Sequence, residues 1–538
     1  MPDDEHSTPT TGHADEQPAS TTEHADPVAE LDARRRRIRE EMGGRRRIDG
    51  IHERGGRTIR EHIAAILDDG SFEEVGTFSA SERPEDRDST PGDGKIGGFG
   101  TIGGRRVVIA GDDRTVKRGS SSPTGSRKLR RLVELAMRAG VPYVYLGETG
   151  GARIPDVLGS EGFGKLPASP YLGRRGREIP VVTMIVGDSF GGSSFVSALS
   201  DFRLQVRGTC LAVTSPRVVE VATGEEVGLE ELGGADVHAR VTGQVDDVVD
   251  TYEDGYRKLV EFLDLVWWRP RGEAADPRPR REGSLLGDVV PLRRTRAYDV
   301  LDVLSRVADD LEEGWLELRP GYGRSLVTGL CRIEGQTTGV IASQPKFEAG
   351  VLTPATCEKA VNLLVLCDSY DLPVLFLQDT PGFMVGKRVE HDRILSKAMT
   401  LQQALVLSRV PKVTIVLRKA FGLAFFILGG PHMGTDFVGA WPSAQIGFMD
   451  PDVGANVVYG RELSGLDREA RTEELDRRAD ELRGGTDPYD IAAPMNIDEV
   501  VAPDDTRRVV ATVLGSLMEG WHRREQEPSV LRHWPTTQ

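Results

Sequence analysis

The chain has 538 residues, of which 38% are apolar, so it can bury two ordinary cores and is too long for one. Its formal net charge of −16 argues against nucleic acid as a general partner. The four cysteines show no paired C-x-x-C spacing, so we expect neither a disulfide framework nor a metal site.

The first thirty residues form an acidic segment without Lys or Arg, rich in Thr, Ser, Pro and His. This composition is typical of disorder, and the segment lacks the basic and apolar regions of a secretory signal. The most apolar stretch of the chain, residues 420–430, is too short to cross a bilayer. We therefore expect a disordered tail over residues 1–30, no membrane segment and a cytoplasmic location.

Two units are predicted after this tail, at residues 31–269 and 290–538. The basic runs Arg34–Arg37 and Arg45–Arg47 favour a solvated surface over a dedicated phosphate site. Residues 270–289 begin with a segment rich in Pro and Arg, which predicts an exposed linker.

The two units share turn-forming residues at one constant offset along the chain. The matched pairs are Gly104 and Gly335, Pro142 and Pro373, Thr149 and Thr380, Pro180 and Pro411, Thr183 and Thr414, and Gly191 and Gly422. An unbroken offset through so many turn residues indicates two fused copies of one α/β unit. Two facing copies can bring two different ligands together.

Each unit is predicted to contain a strand, a helix and two further strands, followed by a glycine-containing turn into another helix. In the first unit, Ser126 is a candidate N-cap of the first helix and Gly140 is placed to end it. The predicted strands cover residues 106–110, 142–146 and 180–186 in the first unit, and 338–342, 373–377 and 411–417 in the second.

The last turn of each unit is a candidate oxyanion site. It covers Gly187–Ser194 in the first unit and Arg418–Phe425 in the second. A strand that ends in such a turn and opens a helix exposes backbone N–H groups without intrahelical partners. Another glycine-rich turn, Thr149–Arg153, is expected nearby and is matched by Thr380–Gly382. No G-x-S-x-G elbow or P-loop occurs, which favours catalysis by backbone electrostatics over a side-chain nucleophile.

Five further segments carry a family resemblance. They are Gly147–Arg153, Thr223–Val227 with Glu231–Ala235, Ala342–Pro345, Asp379–Phe383 and Ala440–Gln445. In sequence and order they resemble the carboxyltransferase β subunits of biotin-dependent acyl-CoA carboxylases, of which propionyl-CoA carboxylase β chains are the nearest well-known type. The resemblance implies an α/β fold of two tandem crotonase-like ββα-spiral units. These would be N- and C-terminal carboxyltransferase subdomains, with acyl-CoA held mainly by the first and carboxybiotin by the second of another protomer.

The resemblance also implies roles for individual residues. Gly191 and Gly192 would donate N–H groups to the thioester oxygen, and Leu423 and Ala424 to the ureido oxygen of biotin. No protein base is required, because the biotin nitrogen accepts the α-proton. The implied substrate-binding residues are Lys117, Gly119, Ser120, Gly150, Gly151, Ala152, Arg153 and Phe426, and the implied biotin-binding residues are Phe421, Gly422 and Phe425. An Arg after a glycine turn, such as Arg153, equally often tethers neighbouring loops.

The chain departs from the family pattern at both turns, so three hypotheses stay open. Leu423 replaces a glycine, and the Asp188 carboxylate would oppose an oxyanion unless it is paired or points away. The first hypothesis is a carboxyltransferase in a homo-hexamer, a trimer of dimers, acting on acyl-CoA with separate biotin carboxylase and biotin carrier proteins. The second is a biotin-independent decarboxylase or another acyl-thioester enzyme of the same fold. The third is a non-catalytic subunit of a carboxylase complex.

Overall fold

The computed structural model describes residues 26–166, 170–174, 176–268, 285, 287–311, 314–524 and 526–535. Most of the predicted tail and linker therefore lies outside the described residues. A helix begins at Pro27, inside the predicted tail, where the Asp26 side chain accepts a hydrogen bond from the Val28 N–H. Leu285 of the predicted linker is buried, and its N–H donates to Asp504.

One mixed sheet is built from the first half of the chain. Its strands are β1 Glu73–Glu74, β2 Lys95–Ile102, β3 Arg105–Asp112, β4 Tyr143–Thr149, β5 Val181–Phe190, β6 Phe202–Val206, β7 Leu211–Ala212 and β8 Asp247–Val249. They are arranged in the order β1-β2-β3-β4-β5-β6-β8, with β7 beside β5. The pairs β1–β2 and β2–β3 are antiparallel, and the remaining pairs are parallel.

A second sheet of the same design is built from the second half. Its strands are β9 Leu316–Glu317, β10 Leu326–Ile333, β11 Gln336–Ser343, β12 Val374–Thr380, β13 Lys412–Phe421, β14 Phe437–Ala440, β15 Gln445–Gly447 and β16 Glu499–Val500. They are arranged in the order β9-β10-β11-β12-β13-β14-β16, with β15 beside β13. Again only the first two pairs in the chain are antiparallel.

The α-helices of the described residues pack around these sheets. They are α1 Pro27–Arg36, α2 Arg45–His52, α3 Ile59–Ile66, α4 Pro123–Ala139, α5 Ile154–Val157, α6 Gly159–Gly164, α7 Pro170–Gly173, α8 Gly192–Ala198, α9 Pro216–Thr223, α10 Leu229–Gly233, α11 Ala235–Val237, α12 Tyr252–Leu263, α13 Val300–Val307, α14 Pro354–Ser369, α15 Lys387–His391, α16 Ile394–Leu407, α17 Leu423–Ile427, α18 Pro451–Tyr459, α19 Arg468–Arg483, α20 Pro488–Ala492 and α21 Thr506–His522.

Helix α4 begins earlier than predicted. Its N-cap is Ser122, whose side chain accepts the Gly125 N–H at 3.0 Å, and Pro123 occupies the first helical position. Ser126 therefore lies inside the helix and the N-cap prediction was wrong. Gly140 ends the helix as predicted, in the left-handed conformation with φ 62°.

The structure contains the predicted repeat. Corresponding strands such as β4 and β12 share the same limits within their units, and each ladder is interrupted at the equivalent place, before Thr149 and before Thr380. Both β5 and β13 extend further than predicted. The extension follows from pairing with a short neighbouring strand, as Ser189 pairs with Leu211 and Phe421 with Gly447.

The two halves are joined through a buried ionic network. The Asp246 carboxylate of the first half accepts hydrogen bonds from Arg203 at 2.9 Å and from Arg319 of the second half at 3.1 Å. All three side chains are buried. The apolar core is also shared, since one cluster of buried residues contains Phe202 of the first sheet and Leu330 of the second.

Candidate active site

The first glycine-containing turn connects β5 to α8. Gly191 has φ 63° and ψ −123°, a conformation open to glycine, and its N–H donates to the Val213 carbonyl at 3.1 Å. The next two amides, of Gly192 and Ser193, meet no acceptor in the described part of the chain. The first turn therefore presents adjacent free donors at Gly192 and Ser193.

The free amides of the first turn differ by one residue from the predicted donor pair. The Gly191 N–H is already used by Val213, so it cannot donate to a substrate oxygen. The free pair is shifted by one residue, to Gly192 and Ser193. The constant offset could have identified Ser193, because it stands at the position equivalent to Ala424.

The second turn, between β13 and α17, has the same backbone. Gly422 has φ 65° and ψ −154°, and its N–H donates to the Gly447 carbonyl at 2.9 Å. The amides of Leu423 and Ala424 meet no acceptor among the described residues. These are the two donors that the sequence predicted here.

The aromatic residues of the second turn do not line it. Phe421 and Phe425 are both buried, and Phe425 packs in a cluster with Val416 and Ile446. Strand β13 and the inner face of α17 direct both rings into the core, and the contact of these residues with biotin stays a prediction. The Gly422 N–H is already hydrogen-bonded to the Gly447 carbonyl. Phe426 is half-buried beside Phe425, whereas Leu423 is 41% exposed.

The second glycine-rich turn of the first unit lies against the oxyanion turn. A Cβ built on Gly191 would stand 3.8 Å from the Gly151 Cα. Gly150 donates its N–H to the Arg118 carbonyl at 2.9 Å, and the Gly151 carbonyl accepts from the Ser121 N–H at 2.8 Å. Ala152 pairs with Ser121 as an isolated bridge. The predicted substrate-binding turn is thus brought to the candidate site.

Arg153 tethers neighbouring loops. Its buried guanidinium donates to the Asp93 carboxylate at 2.5 Å and to the Ser120 carbonyl at 3.3 Å. These bonds fit the tethering role that the sequence left equally open, and a contact of Arg153 with CoA stays a prediction. Gly119 and Ser120 are also buried, and the Gly119 carbonyl accepts from Lys95 at 2.7 Å. Gly119 and Ser120 therefore help to fix the conformation of the loop.

Glu148 is a buried carboxyl group next to the first turn. Burial raises its pKa to about 7, against the charge of Arg114, which contacts it at 2.8 Å, and the carboxylates of Asp112 and Asp188 add to the rise. A Cβ on Gly187 would meet the Glu148 carboxylate at 2.2 Å, so a side chain at this position would displace that carboxylate. Sequence reasoning did not identify Glu148 or Arg114 as site residues.

A large basic cleft opens beside these loops, with a volume of about 1150 Å³. Its charged lining consists of Arg45, Arg46, Arg47, Arg54, Arg114, Lys117 and Arg118, with Asp49 and Glu53. The sequence favoured a solvated surface for the run Arg45–Arg47. All three arginines are exposed, as that prediction requires, and the fold gathers them with the loop cations on one concave surface, which attracts anions.

Neither a metal-binding cluster nor a membrane-spanning helix occurs in the described residues. No group of three His, Cys, Asp or Glu side chains is arranged there to hold a metal ion. No helix in the same ranges is long and apolar enough to span a bilayer.

Comparisons with known proteins agree with this geometry. The profile of the carboxyl transferase domain matches residues 51–530. The chain is 34% identical to a putative propionyl-CoA carboxylase beta chain of Bacillus subtilis, over 91% of this chain and 94% of that protein. It is also 34% identical to the methylmalonyl-CoA carboxyltransferase 12S subunit of Propionibacterium freudenreichii, over 90% and 92%.

A solved structure has the same fold throughout. The crystal structure of transcarboxylase 12S, a hexamer with methylmalonyl-coenzyme A and methylmalonic acid bound, superposes with a TM-score of 0.82 at 32% identity, over 96% of this chain and 98% of that one. The predicted tandem crotonase-like fold is confirmed. The chain belongs to the carboxyl transferase domain family, as a relative of acyl-CoA carboxylase β subunits.

Proposed function

We propose that the chain is a carboxyltransferase subunit that moves CO2 from carboxybiotin, held on a separate carrier protein, to the α-carbon of an acyl-CoA. The observation that carries this proposal is the pair of equivalent turns, each with two adjacent free N–H groups. When bound, biotin supplies the carboxyl group and accepts the α-proton. The reaction develops negative charge on two oxygens, the thioester carbonyl and the biotin ureido oxygen, and two donor pairs match that requirement.

The first turn is proposed to hold the thioester oxygen. The Gly192 and Ser193 amides are fixed by the strand before them and the helix after them, so they need no reorganisation as the enolate forms. Removing one such donor typically costs about 3 kcal/mol of transition-state stabilisation. No side-chain nucleophile is needed for this role.

The second turn is proposed to hold the ureido oxygen through Leu423 and Ala424. Two adjacent N–H groups at the start of a helix are suitable for a neutral carbonyl-type oxygen that gains charge. The Phe425 ring is packed in the core and so does not fill the approach. This favours carboxyl transfer over a decarboxylase whose second turn is closed to biotin, and two intact turns disfavour a non-catalytic subunit.

The basic cleft is proposed to bind the phosphate groups of CoA. It lies in the proposed acyl-CoA unit, residues 31–269, and Arg118 lines both this cleft and the small cavity that contains Gly150. A bound CoA could therefore extend from the cleft toward the first turn. Lys117 is proposed to take part in this binding, because it lines the cleft and its long contact with Asp86, at 3.4 Å, leaves donors for a phosphate.

Apolar side chains beside the two turns support an assembly of several copies. Val213, next to the first turn, is 73% exposed, and Phe448, next to the second, is 88% exposed. Such surfaces commonly mark protein interfaces. We propose a homo-hexamer, a trimer of dimers, in which the biotin-side unit of one protomer, residues 290–538, faces the acyl-CoA unit of another.

The test is carboxyl transfer with the full chain. It would be incubated with a biotin carboxylase, a biotinylated carrier, ATP, labelled bicarbonate and acyl-CoAs from acetyl to long-chain. Label in one acyl-CoA, dependent on the carrier, would support the proposal and name the substrate. Absence of label from every acyl-CoA, with loss of CO2 from a 2-carboxyacyl-CoA by the chain alone, would make it a biotin-independent decarboxylase.

A further inference from the structure

A second basic cavity lies in the second unit and is used by none of the roles above. Its volume is about 290 Å³. It is lined by four cationic side chains and one carboxylate, which are Arg294, Arg296, Arg418, Lys419 and Asp450. Backbone segments around Pro345, Ala349 and Pro381 complete the wall.

Of the two buried cations that line this cavity, Arg418 and Lys419, Lys419 is the less satisfied. Its side chain is buried, with 7% of the residue exposed, and the nearest carboxylate oxygen, on Asp379, is 3.7 Å from Nζ. That separation is too long for a hydrogen bond, and Nζ makes none within the described ranges. Burial lowers the Lys419 pKa, although Asp379 opposes this. A buried ammonium with unused donors favours an anionic ligand.

The other cations divide into fixed and free groups. Arg418 is held by Asp379 at 2.9 Å and lies over the Tyr298 ring, and Arg294 is paired with Asp450 at 3.3 Å. Arg296 is exposed and forms no ion pair with another described residue. The fixed arginines supply a rigid positive wall, whereas Lys419 and Arg296 have charge to offer a ligand.

The repeat places a counterpart of this cavity in the first unit, where the equivalent small cavity is lined by Arg114, Arg118, Gly150 and Asp188. The position equivalent to Lys419 in the first unit is Asp188, and the position equivalent to Arg418 is Gly187. The loop that contains Ala349 does retain the left-handed backbone of its counterpart, with φ 54° for Ala349 and 58° for Arg118. The backbone of this part of the wall is therefore the same in both units, whereas the side chain at the position of Lys419 carries the opposite charge in the first unit.

We propose that this cavity is a second anion-binding site, which takes a ligand bearing phosphate or pyrophosphate. Its volume exceeds what a single carboxylate needs, and its separated cations suit an anion with several charged oxygens. The site is distinct from the basic cleft of the first unit, and it lies beside the turn at which the proposed function places the ureido oxygen. Lys419 directly precedes the last two residues of β13 before the second turn, so occupation is positioned to influence that turn.

Binding of inorganic pyrophosphate to the full chain tests the proposal. The measurements would use calorimetry in a background carrying Arg46→Ala and Arg118→Ala, which weakens the first cleft. In that background we expect Lys419→Met and Arg296→Ala each to weaken binding by about tenfold, because each removes a charge-assisted contact. Arg293→Ala is the matched control, since this exposed arginine is on the same loop and its side chain does not line the cavity.

The outcomes separate clearly. Selective weakening by Lys419→Met and Arg296→Ala would support the site, and Arg296→Ala keeps the test valid should the buried substitution unfold the chain. Equal affinity in all variants, an equal loss with Arg293→Ala, or no binding by the background protein would overturn it. Repeating the titration with CoA and with a nucleoside diphosphate identifies which phosphate-bearing source the cavity accepts.

Discussion

The two oxyanion turns share a backbone and differ in nearly everything around it. Gly191 and Gly422 have φ of 63° and 65°, and each gives its N–H to the strand segment beside it. The next position is Gly192 in one turn and the exposed side chain of Leu423 in the other. Since the donors are backbone atoms, the side chains can change without moving them. The shared backbone of the repeat thus determines where negative charge is stabilised, whereas the side chains around each turn determine which ligand can approach it.

The largest effect is expected where the two repeats meet, at Asp246. Replacing it by Asn removes the only charge shared by Arg203 and Arg319 in this pocket of described residues. Breaking a buried pair in this way costs about 3–5 kcal/mol, because charges are left buried and unpaired. We expect Asp246→Asn to lower the free energy of unfolding by that amount in urea denaturation.

The control for this substitution is Asp250→Asn. Asp250 pairs with Arg207 at 2.7 Å at the surface, where both side chains are at least half exposed. Such pairs contribute about 0–1 kcal/mol. If both variants were destabilised alike, the network between the halves would not be what joins the repeats.

The second prediction removes one donor of the second turn. Leu423 is the first residue of α17, a position where Pro is tolerated because the lost N–H has no intrahelical acceptor. We expect Leu423→Pro to lower kcat by about 10²–10³-fold, the usual result of deleting an oxyanion donor. The measurement is the kcat of acyl-CoA carboxylation by the purified chain, supplied with a biotin carboxylase and a biotinylated carrier.

Leu423→Ala is the matched variant, since it shortens the side chain but keeps the N–H. Its rate should stay much nearer to that of the parent chain. Similar losses in the two variants would mean that the side chain matters and the N–H does not, which would contradict the equivalence of the two turns.

Features that depend on local backbone conformation could be predicted from the sequence, whereas features that depend on contacts between distant residues could not. The turns could be predicted because the left-handed conformation of Gly191 and Gly422 demands glycine, and the repeat shows that demand twice. The hydrogen bond from the Gly191 N–H to the Val213 carbonyl could not be predicted from the sequence, because it depends on how β7 lies beside β5. The inward direction of Phe421 likewise depends on which face of β13 is covered. Arg114 lacked any local motif at all.

The third prediction concerns the buried carboxyl group of Glu148, whose equivalent in the second unit is Asp379. The folded-state pKa of Glu148 is raised to about 7 from 4.5. The folded chain therefore binds this proton more tightly than the unfolded chain does. Stability from this group is complete below the unfolded pKa and is lost as the pH rises to the folded one, by up to about 3 kcal/mol.

Glu148→Gln should remove this pH dependence. The unfolding free energy of the variant, relative to the parent, should increase between about pH 5 and pH 8, as measured by urea denaturation at each pH. Glu161→Gln serves as the control, because Glu161 is exposed and should leave the slope unchanged. A parallel pH profile for Glu148→Gln and the parent would show that Glu148 titrates normally.

The smallest effect is expected in the basic cleft, where many cations share one ligand. Arg46→Ala removes one charge from the lining, and we expect the KM for acyl-CoA to rise about tenfold at low salt with little change in kcat. The increase should shrink as ionic strength rises, because salt screens exposed charges. Arg35→Ala removes an equal charge from exposed helix α1, outside the cleft, and should leave KM unchanged. An equal rise in KM in both variants would indicate that CoA is attracted by the overall positive charge of the first unit and not by the cleft itself. The cleft could then no longer be contrasted, as a specific phosphate site, with the smaller cavity of the second unit.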